Sequence, residues 1–64
     1  MIYPRESPKN IGFSNPQMHL AFDSMADFTD LPGLDEAAPS STAFCIDTSD
    51  AYMLRKDTGE WGLL

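Results

Sequence analysis

The chain has 64 residues and a net charge of −6, with ten Asp and Glu residues against four Lys and Arg, and its pI is near 4.2. This acidic balance argues against nucleic acids and anionic membranes as partners, because affinity for both comes largely from Lys and Arg. No apolar run approaches the roughly 20 residues that cross a bilayer, and the first ten residues lack the apolar stretch of a signal peptide.

A chain of this size usually needs a disulfide, a metal ion or a partner to stabilise its small core. The lone Cys45 cannot form an internal disulfide, and no residues show metal-ligand spacing. We therefore expect a partner chain to supply the missing stabilisation.

Residues 1–16, MIYPRESPKNIGFSNP, hold three of the five prolines and are predicted to form an extended arm. Proline fixes φ and drives the preceding residue towards extended geometry. The apolar residues Ile2, Tyr3, Ile11 and Phe13 follow no clear period. A solvated tail would not need them, so we expect this arm to become ordered on another protein; a flexible terminus is the simpler alternative.

Residues 17–41 permit two interpretations. One is a single amphipathic helix over about 16–29 that begins at a proline. The other is an extended MHLAF segment followed by a short helix over about 25–29, with Ser24 as the N-cap and Asp27 as its capping-box partner. We favour the second. A Leu-Pro-Gly sequence ends either helix, and the polar LDEAAPSS linker follows.

Residues 42–64 alternate with the period of β-strands and predict a three-stranded antiparallel meander. Its turns are DTSD and RKDTG, which contain residues that favour turns through local hydrogen bonds and positive φ. One face is predicted to carry Phe44, Ile46, Tyr52, Leu54, Trp61 and Leu63, and the other Ala43, Cys45, Met53 and Gly62. The aromatic face is expected to be too large for one copy to bury.

Both turns contain a string that matches the aspartic-protease signature, Asp-Thr-Ser at Asp47 and Asp-Thr-Gly at Asp57. Such enzymes need two carboxylates that share a proton, whereas these two are predicted at opposite ends of one strand. The turns also lack the spacing of a Ca²⁺ loop, and nothing places His19 near Cys45 as a base beside a nucleophile. The chain is therefore predicted not to be an enzyme, with no catalytic, metal or cofactor-binding residue.

Several short strings recur in a familiar order along residues 23–64. They are Ser24-Met25-Ala26-Asp27, Leu31-Pro32, Ser41-Thr42-Ala43, Asp47-Thr48, Tyr52-Met53-Leu54 and Gly59-Glu60-Trp61. This order resembles the C-terminal module of small bacteriophage virion proteins, in which a short helix ending in Leu-Pro precedes a three-stranded hairpin module with a terminal Gly-x-Trp. Ser40-Ser41 departs from the Gly-Ser of that pattern, which bears on the turn before the first strand.

The resemblance implies a minor virion structural protein: a capsid decoration, a head-fibre protein or a tail-associated component. It implies synthesis in the host cytoplasm, location in the virion, and capsid or tail subunits as partners, together with a homo-oligomer for which a trimer is one arrangement. The alternative is a small acidic phage protein that inhibits a host nucleic-acid enzyme; it ranks second because the acidic residues are scattered. The residues expected in the core or the interface are Ile2, Tyr3, Ile11, Phe13, Phe22, Phe28, Phe44, Ile46, Tyr52, Leu54, Trp61 and Leu63.

Overall fold

A computed structural model describes the whole chain, residues 1–64. It contains five strands and one short 3-10 helix. The strands are β1 (Ile2–Pro4), β2 (His19–Phe22), β3 (Thr42–Cys45), β4 (Asp50–Leu54) and β5 (Trp61–Leu63), and the helix (Met25–Asp30) lies between β2 and β3.

The strands form one sheet in chain order, β1-β2-β3-β4-β5. β2 and β3 are parallel, and every other neighbouring pair is antiparallel. Parallel neighbours need a long crossover, and residues 23–41 provide it. The prediction of a small, mostly β protein is confirmed. The predicted meander is not matched as drawn, because its three strands form part of a five-stranded mixed sheet.

Of the predicted arm, residues 1–16, only Ile2–Pro4 forms a strand, and bends occur along much of the rest. β1 pairs with β2, with Ile2 opposite Phe22 and Pro4 opposite Leu20. A second contact with the chain itself, an isolated bridge between Lys9 and Gln17, follows farther along. Backbone pairing within the sheet therefore orders the start of the arm without another protein.

The segment before β3 adopts the second of the two sequence interpretations, and a single helix over 16–29 is excluded. The MHLAF string contributes β2, and the helix begins at Met25 after Ser24 in an extended N-cap conformation. The capping box is not formed, since the Ser24 side chain makes no capping hydrogen bond. The carboxylate of Asp27 instead accepts a hydrogen bond from the amino group of Met1.

One face of the sheet, the covered face, packs against the crossover. Leu20, Phe22, Ala43 and Cys45 form its buried centre, and Phe28 of the helix packs against them. Leu54 at the end of β4 and Ala37 and Ala38 in the crossover are also buried. The core thus lies between one sheet face and one layer of loop and short helix.

The predicted aromatic face is wrong for its first strand. The loop between β3 and β4 has four residues, 46–49, and it places Ala43 opposite Tyr52 and Phe44 opposite Ala51. Directly opposed residues point to the same side of a sheet, so Phe44 points away from Tyr52. Ile46, predicted on the same face, lies outside β3 in the turn before β4 and is exposed.

The predicted pairing of the last two strands is correct. Tyr52 lies opposite Leu63, and Leu54 lies opposite Trp61, so these four side chains share the covered face. Leu63 lies at its margin and is largely exposed.

Candidate interaction surface

Most of the aromatic side chains on the covered face are used within the chain. Phe28 and Tyr52 stack edge to face with ring centroids 5.0 Å apart, and each lies 6.1 Å from Phe22. The indole nitrogen of Trp61 donates a 3.0 Å hydrogen bond to the carbonyl oxygen of Pro32. These residues, predicted as core or interface, are therefore structural in a single copy.

The other side of the sheet, the open face, has no helix or strand packed over it. Its central row crosses four strands, because the register aligns Tyr3 with Ala21, Ala21 with Phe44, and Phe44 with Ala51. The backbone N–H of Leu64, the residue after β5, donates to the carbonyl of Ala51, which adds Leu64 to the row. The members of the open-face row are Tyr3, Ala21, Phe44, Ala51 and Leu64. All five are at least partly exposed.

The neighbouring row of the open face contains polar side chains as well as Met53. Towards the start of β2 and β3, the Nδ1 atom of His19 lies 2.6 Å from the hydroxyl oxygen of Thr42, and Met53 lies opposite Thr42. The guanidinium of Arg5 lies 5.9 Å from the centroid of the Phe44 ring. A cation over an aromatic face is attracted by the ring quadrupole, so Arg5 is held against the open face.

The basic residues cluster at one end of the sheet. Arg5 and Lys9 follow β1, while Arg55 and Lys56 follow β4. Since β1 is antiparallel to β2 and β4 is antiparallel to β3, the carboxyl ends of β1 and β4 lie at the same end of the sheet. We call it the basic end. Of its cations only Arg55 has an ion pair, 3.1 Å from Asp57.

This ion pair perturbs both of its members. The hydrogen bonds and charge of Arg55 lower the pKa of the Asp57 carboxyl below its ordinary value, and Asp57 raises the pKa of Arg55 in return. Both side chains are largely exposed, so the pair contributes little to folding.

The opposite end of the sheet, the acidic end, carries Asp23 after β2, together with Asp47 and Asp50 around the β3–β4 loop. Asp23 is close to the amino group of Met1, at 3.3 Å, and accepts a 3.2 Å hydrogen bond from the hydroxyl of Tyr3. This hydrogen bond raises the pKa of the Tyr3 phenol. Asp47 and Asp50 have no cationic partner within the chain.

Ile11 and Phe13, predicted as interface residues of the arm, lie in the exposed loop between β1 and β2. Phe13 forms one wall of an open groove of about 620 Å³, and Met53 and Lys56 line its other side. This loop is the part of the predicted arm that remains available to another protein.

The residue pairs that could form a catalytic site are not close to each other in the structure. Asp47 and Asp57 lie in the loops at opposite ends of β4. Cys45 is buried on the covered face, whereas His19 lies on the open face. No group of three His, Cys, Asp or Glu side chains could hold a metal ion, and no helix combines the length and apolar character needed to cross a membrane.

No protein-family model, curated protein or solved structure matches this chain.

The sequence analysis did not identify Arg5, Ala21, Ala51 and Leu64 as residues of the open face. The length of the β3–β4 loop does predict that Phe44 and Tyr52 point to opposite faces. A hairpin loop with an even number of residues pairs even-numbered with odd-numbered positions, so Phe44 and Tyr52 cannot share a face. No comparable signal identifies Ala21, because its place depends on the parallel pairing of β2 with β3.

Proposed function

We propose that this chain is a minor structural protein of a bacteriophage virion, a capsid decoration, head-fibre or tail-associated component that works by binding other protein subunits. The observation that carries the proposal is the large amount of apolar side chain left exposed. Ten large hydrophobic residues of a 64-residue chain are exposed, and only eight residues are buried.

Two groups of apolar residues form surfaces that suit two different contacts. The loop between β1 and β2 presents Ile11 and Phe13, which are 41% and 43% exposed, and we assign it the anchoring contact with a capsid or tail subunit. The open face presents the row centred on Phe44, and we assign it to assembly of the chain with itself. Exposed apolar patches of this kind mark protein contacts.

The sequence resemblance supports the proposal that the chain is a virion protein. The exposed apolar surfaces support the proposal that it acts by binding other subunits. Short strands, a bare sheet face and a protruding loop suit a protein that adds to a larger assembly. The acidic inhibitor remains the second hypothesis, and no clustering of carboxylates on one broad face favours it.

Quantitative mass spectrometry of particles purified from cells that produce the chain tests the proposal. We expect the chain in the particles at a fixed ratio to the major capsid protein. Abundance in the lysate with absence from purified particles would overturn the virion role. Recovery instead in a stoichiometric complex with a basic host nucleic-acid enzyme would establish the inhibitor.

A matched pair of variants tests the anchoring loop. Replacing Ile11 and Phe13 together with Ser should remove the chain from particles while leaving it folded, because both side chains lie outside the core. Met25→Ser is the control, since Met25 is equally exposed, at 43%, in the helix. Equal incorporation of the loop variant and the control would show that the loop is not the anchor.

A further inference from the structure

We infer that the open face binds a second copy of the same chain, face to face, with the strands of the two copies antiparallel and Phe44 at the centre of the contact. This inference rests on the assembly role proposed above and deepens it by naming the surface, the partner and the orientation. It makes the unit of assembly a dimer rather than a trimer.

The first argument is the shape of the open face. Two sheets stack about 10 Å apart when inner faces of moderate-sized apolar side chains meet. The open-face row has apolar side chains on β1 to β4 and at Leu64 after β5, with Phe44 on the middle strand, β3. A two-fold axis across β3 would place the two Phe44 side chains opposite each other, each with its Arg5 guanidinium against the ring, and would cover the row of each copy with that of the other.

The second argument is the area required. A specific interface of standard size removes about 800 Å² from each partner, which is about one fifth of the 4053 Å² accessible surface of this chain. The molecule measures 32 × 24 × 18 Å. One broad side can provide that area if the side chains at the two ends of the sheet take part as well as the central row.

The third argument concerns charge, and it selects the orientation. An axis that runs across the strands places the basic end of one copy over the acidic end of the other. Because β4 then lies over β4, Lys56, which follows β4 and has no ion pair, approaches Asp47 in the β3–β4 loop, which is also unpaired. An axis parallel to the strands would instead place β1 over β5 and bring basic end against basic end, which opposes like charges.

At the edge strand β1, the sheet is poorly suited to pairing with a strand of a second copy, which favours face-to-face stacking. Pro4 on this edge strand has no backbone N–H to offer to an added strand. A second copy that stacks on the open face needs no backbone donors, because its contact is made by side chains.

Sedimentation equilibrium of the full chain measures the association. We expect a dimer for the parent chain and a monomer for Phe44→Glu. Met25→Glu is the control with the same added charge on the other side of the molecule, and it should remain dimeric. Near-ultraviolet circular dichroism of Trp61 checks that each variant is folded. A parent chain that is monomeric at high micromolar concentration, or a Phe44→Glu variant that still dimerises, would overturn the inference.

Cross-linking tests the orientation without altering Phe44. In the antiparallel arrangement Ala51 of one copy lies over Ala51 of the other, whereas the two Ile46 residues are about four residues apart along the strands, roughly 13 Å at 3.3 Å per residue. A short bis-maleimide reagent should therefore link Ala51→Cys dimers and leave Ile46→Cys unlinked. The opposite pattern would contradict the orientation. The parent chain, whose Cys45 is buried, is the background control.

A charge exchange provides a second readout of orientation. Lys56→Glu and Asp47→Lys should each weaken the dimer by roughly five- to tenfold, and the two together should restore most of the affinity, as coupled charges do. If the double variant is weaker than either single variant, these residues do not face each other.

The two proposals fail separately. A monomeric chain that is nevertheless present in purified particles would overturn the dimer and leave the virion role standing. A dimer that is absent from particles would do the reverse.

Discussion

The covered and open faces of this sheet carry similar residues but play different parts. Phe22 and Phe44 lie on neighbouring strands, yet Phe22 is fully buried beneath the crossover whereas Phe44 remains half-buried. The cause is chain length. Small domains bury a low fraction of their surface, and residues 23–41 suffice to cover one side only. A short chain can therefore complete a two-layer structure on one side of its sheet and leave the other for a partner.

The largest expected effect separates these two faces directly. Phe22→Ala removes a fully buried ring, and such changes cost about 3–5 kcal/mol, which is as much as a core of this size usually provides. We expect the variant to be unfolded at 25 °C. Phe44→Ala removes a ring from the open face and should cost about 1 kcal/mol in the monomer.

Urea unfolding followed by Trp61 fluorescence measures both changes. The experiment should be run at low protein concentration, because dimer formation adds stability by mass action. Equal destabilisation by the two substitutions would show that the open face is part of the folding core.

A second test concerns the polar anchor beneath the covered face. The buried hydroxyl of Ser41 donates a 2.6 Å hydrogen bond to the carbonyl of Ala38 and accepts a 3.0 Å hydrogen bond from the N–H of Met18. Ser41→Ala leaves both backbone groups without this partner, and we expect a loss of about 1–3 kcal/mol. Thr42→Val on the open face is the control and should cost less, as measured by the urea midpoint.

The sequence predicts local features of this fold better than its long-range pairings. Alternation identifies β3, β4 and β5, and the choice of turn residues identifies their loops, because these depend on neighbours along the chain. The three-residue β1 contains a proline, and β2 has the composition of a helix. Both become strands through partners more than fifteen residues away, which no local pattern encodes. The same limit applies to the open face, since its row joins residues from four separate strands and the residue after the fifth.

A third test concerns the contact between the crossover residue Leu34 and the loop that precedes β5. Gly59 has a positive φ of 72°, and a Cβ atom at this position would lie 3.3 Å from the side chain of Leu34. Gly59→Ala should therefore cost about 1–2 kcal/mol from backbone strain, with an added contribution from displacing Leu34.

Gly59→Asn distinguishes the two causes, because Asn tolerates positive φ better than Ala but carries the same Cβ atom. Thermal unfolding measures both variants. If the two are equally destabilised, the contact with Leu34 dominates; if Asn is nearly neutral, backbone strain does. A neutral Ala variant would contradict the fit of the crossover at this point.

The smallest expected effect lies at the basic end, where exposure limits what an ion pair can do. Arg55 lowers the pKa of Asp57 in the folded chain, so the folded carboxyl is ionised at a pH where the unfolded one, near 3.9, is already taking up protons. The stabilisation is present above the unfolded pKa and is lost as the pH falls through the folded pKa.

Arg55→Gln should return the pKa of Asp57 towards its ordinary value in a carboxyl NMR titration. Lys56→Gln removes the same charge from a residue without an ion pair and should shift it less. Equal shifts from both variants would mean that the general positive charge of the basic end, rather than the specific hydrogen bonds of Arg55, controls Asp57. The basic end would then act as a diffuse field, and its attraction to the acidic end of a second copy would not depend on any one pair of side chains.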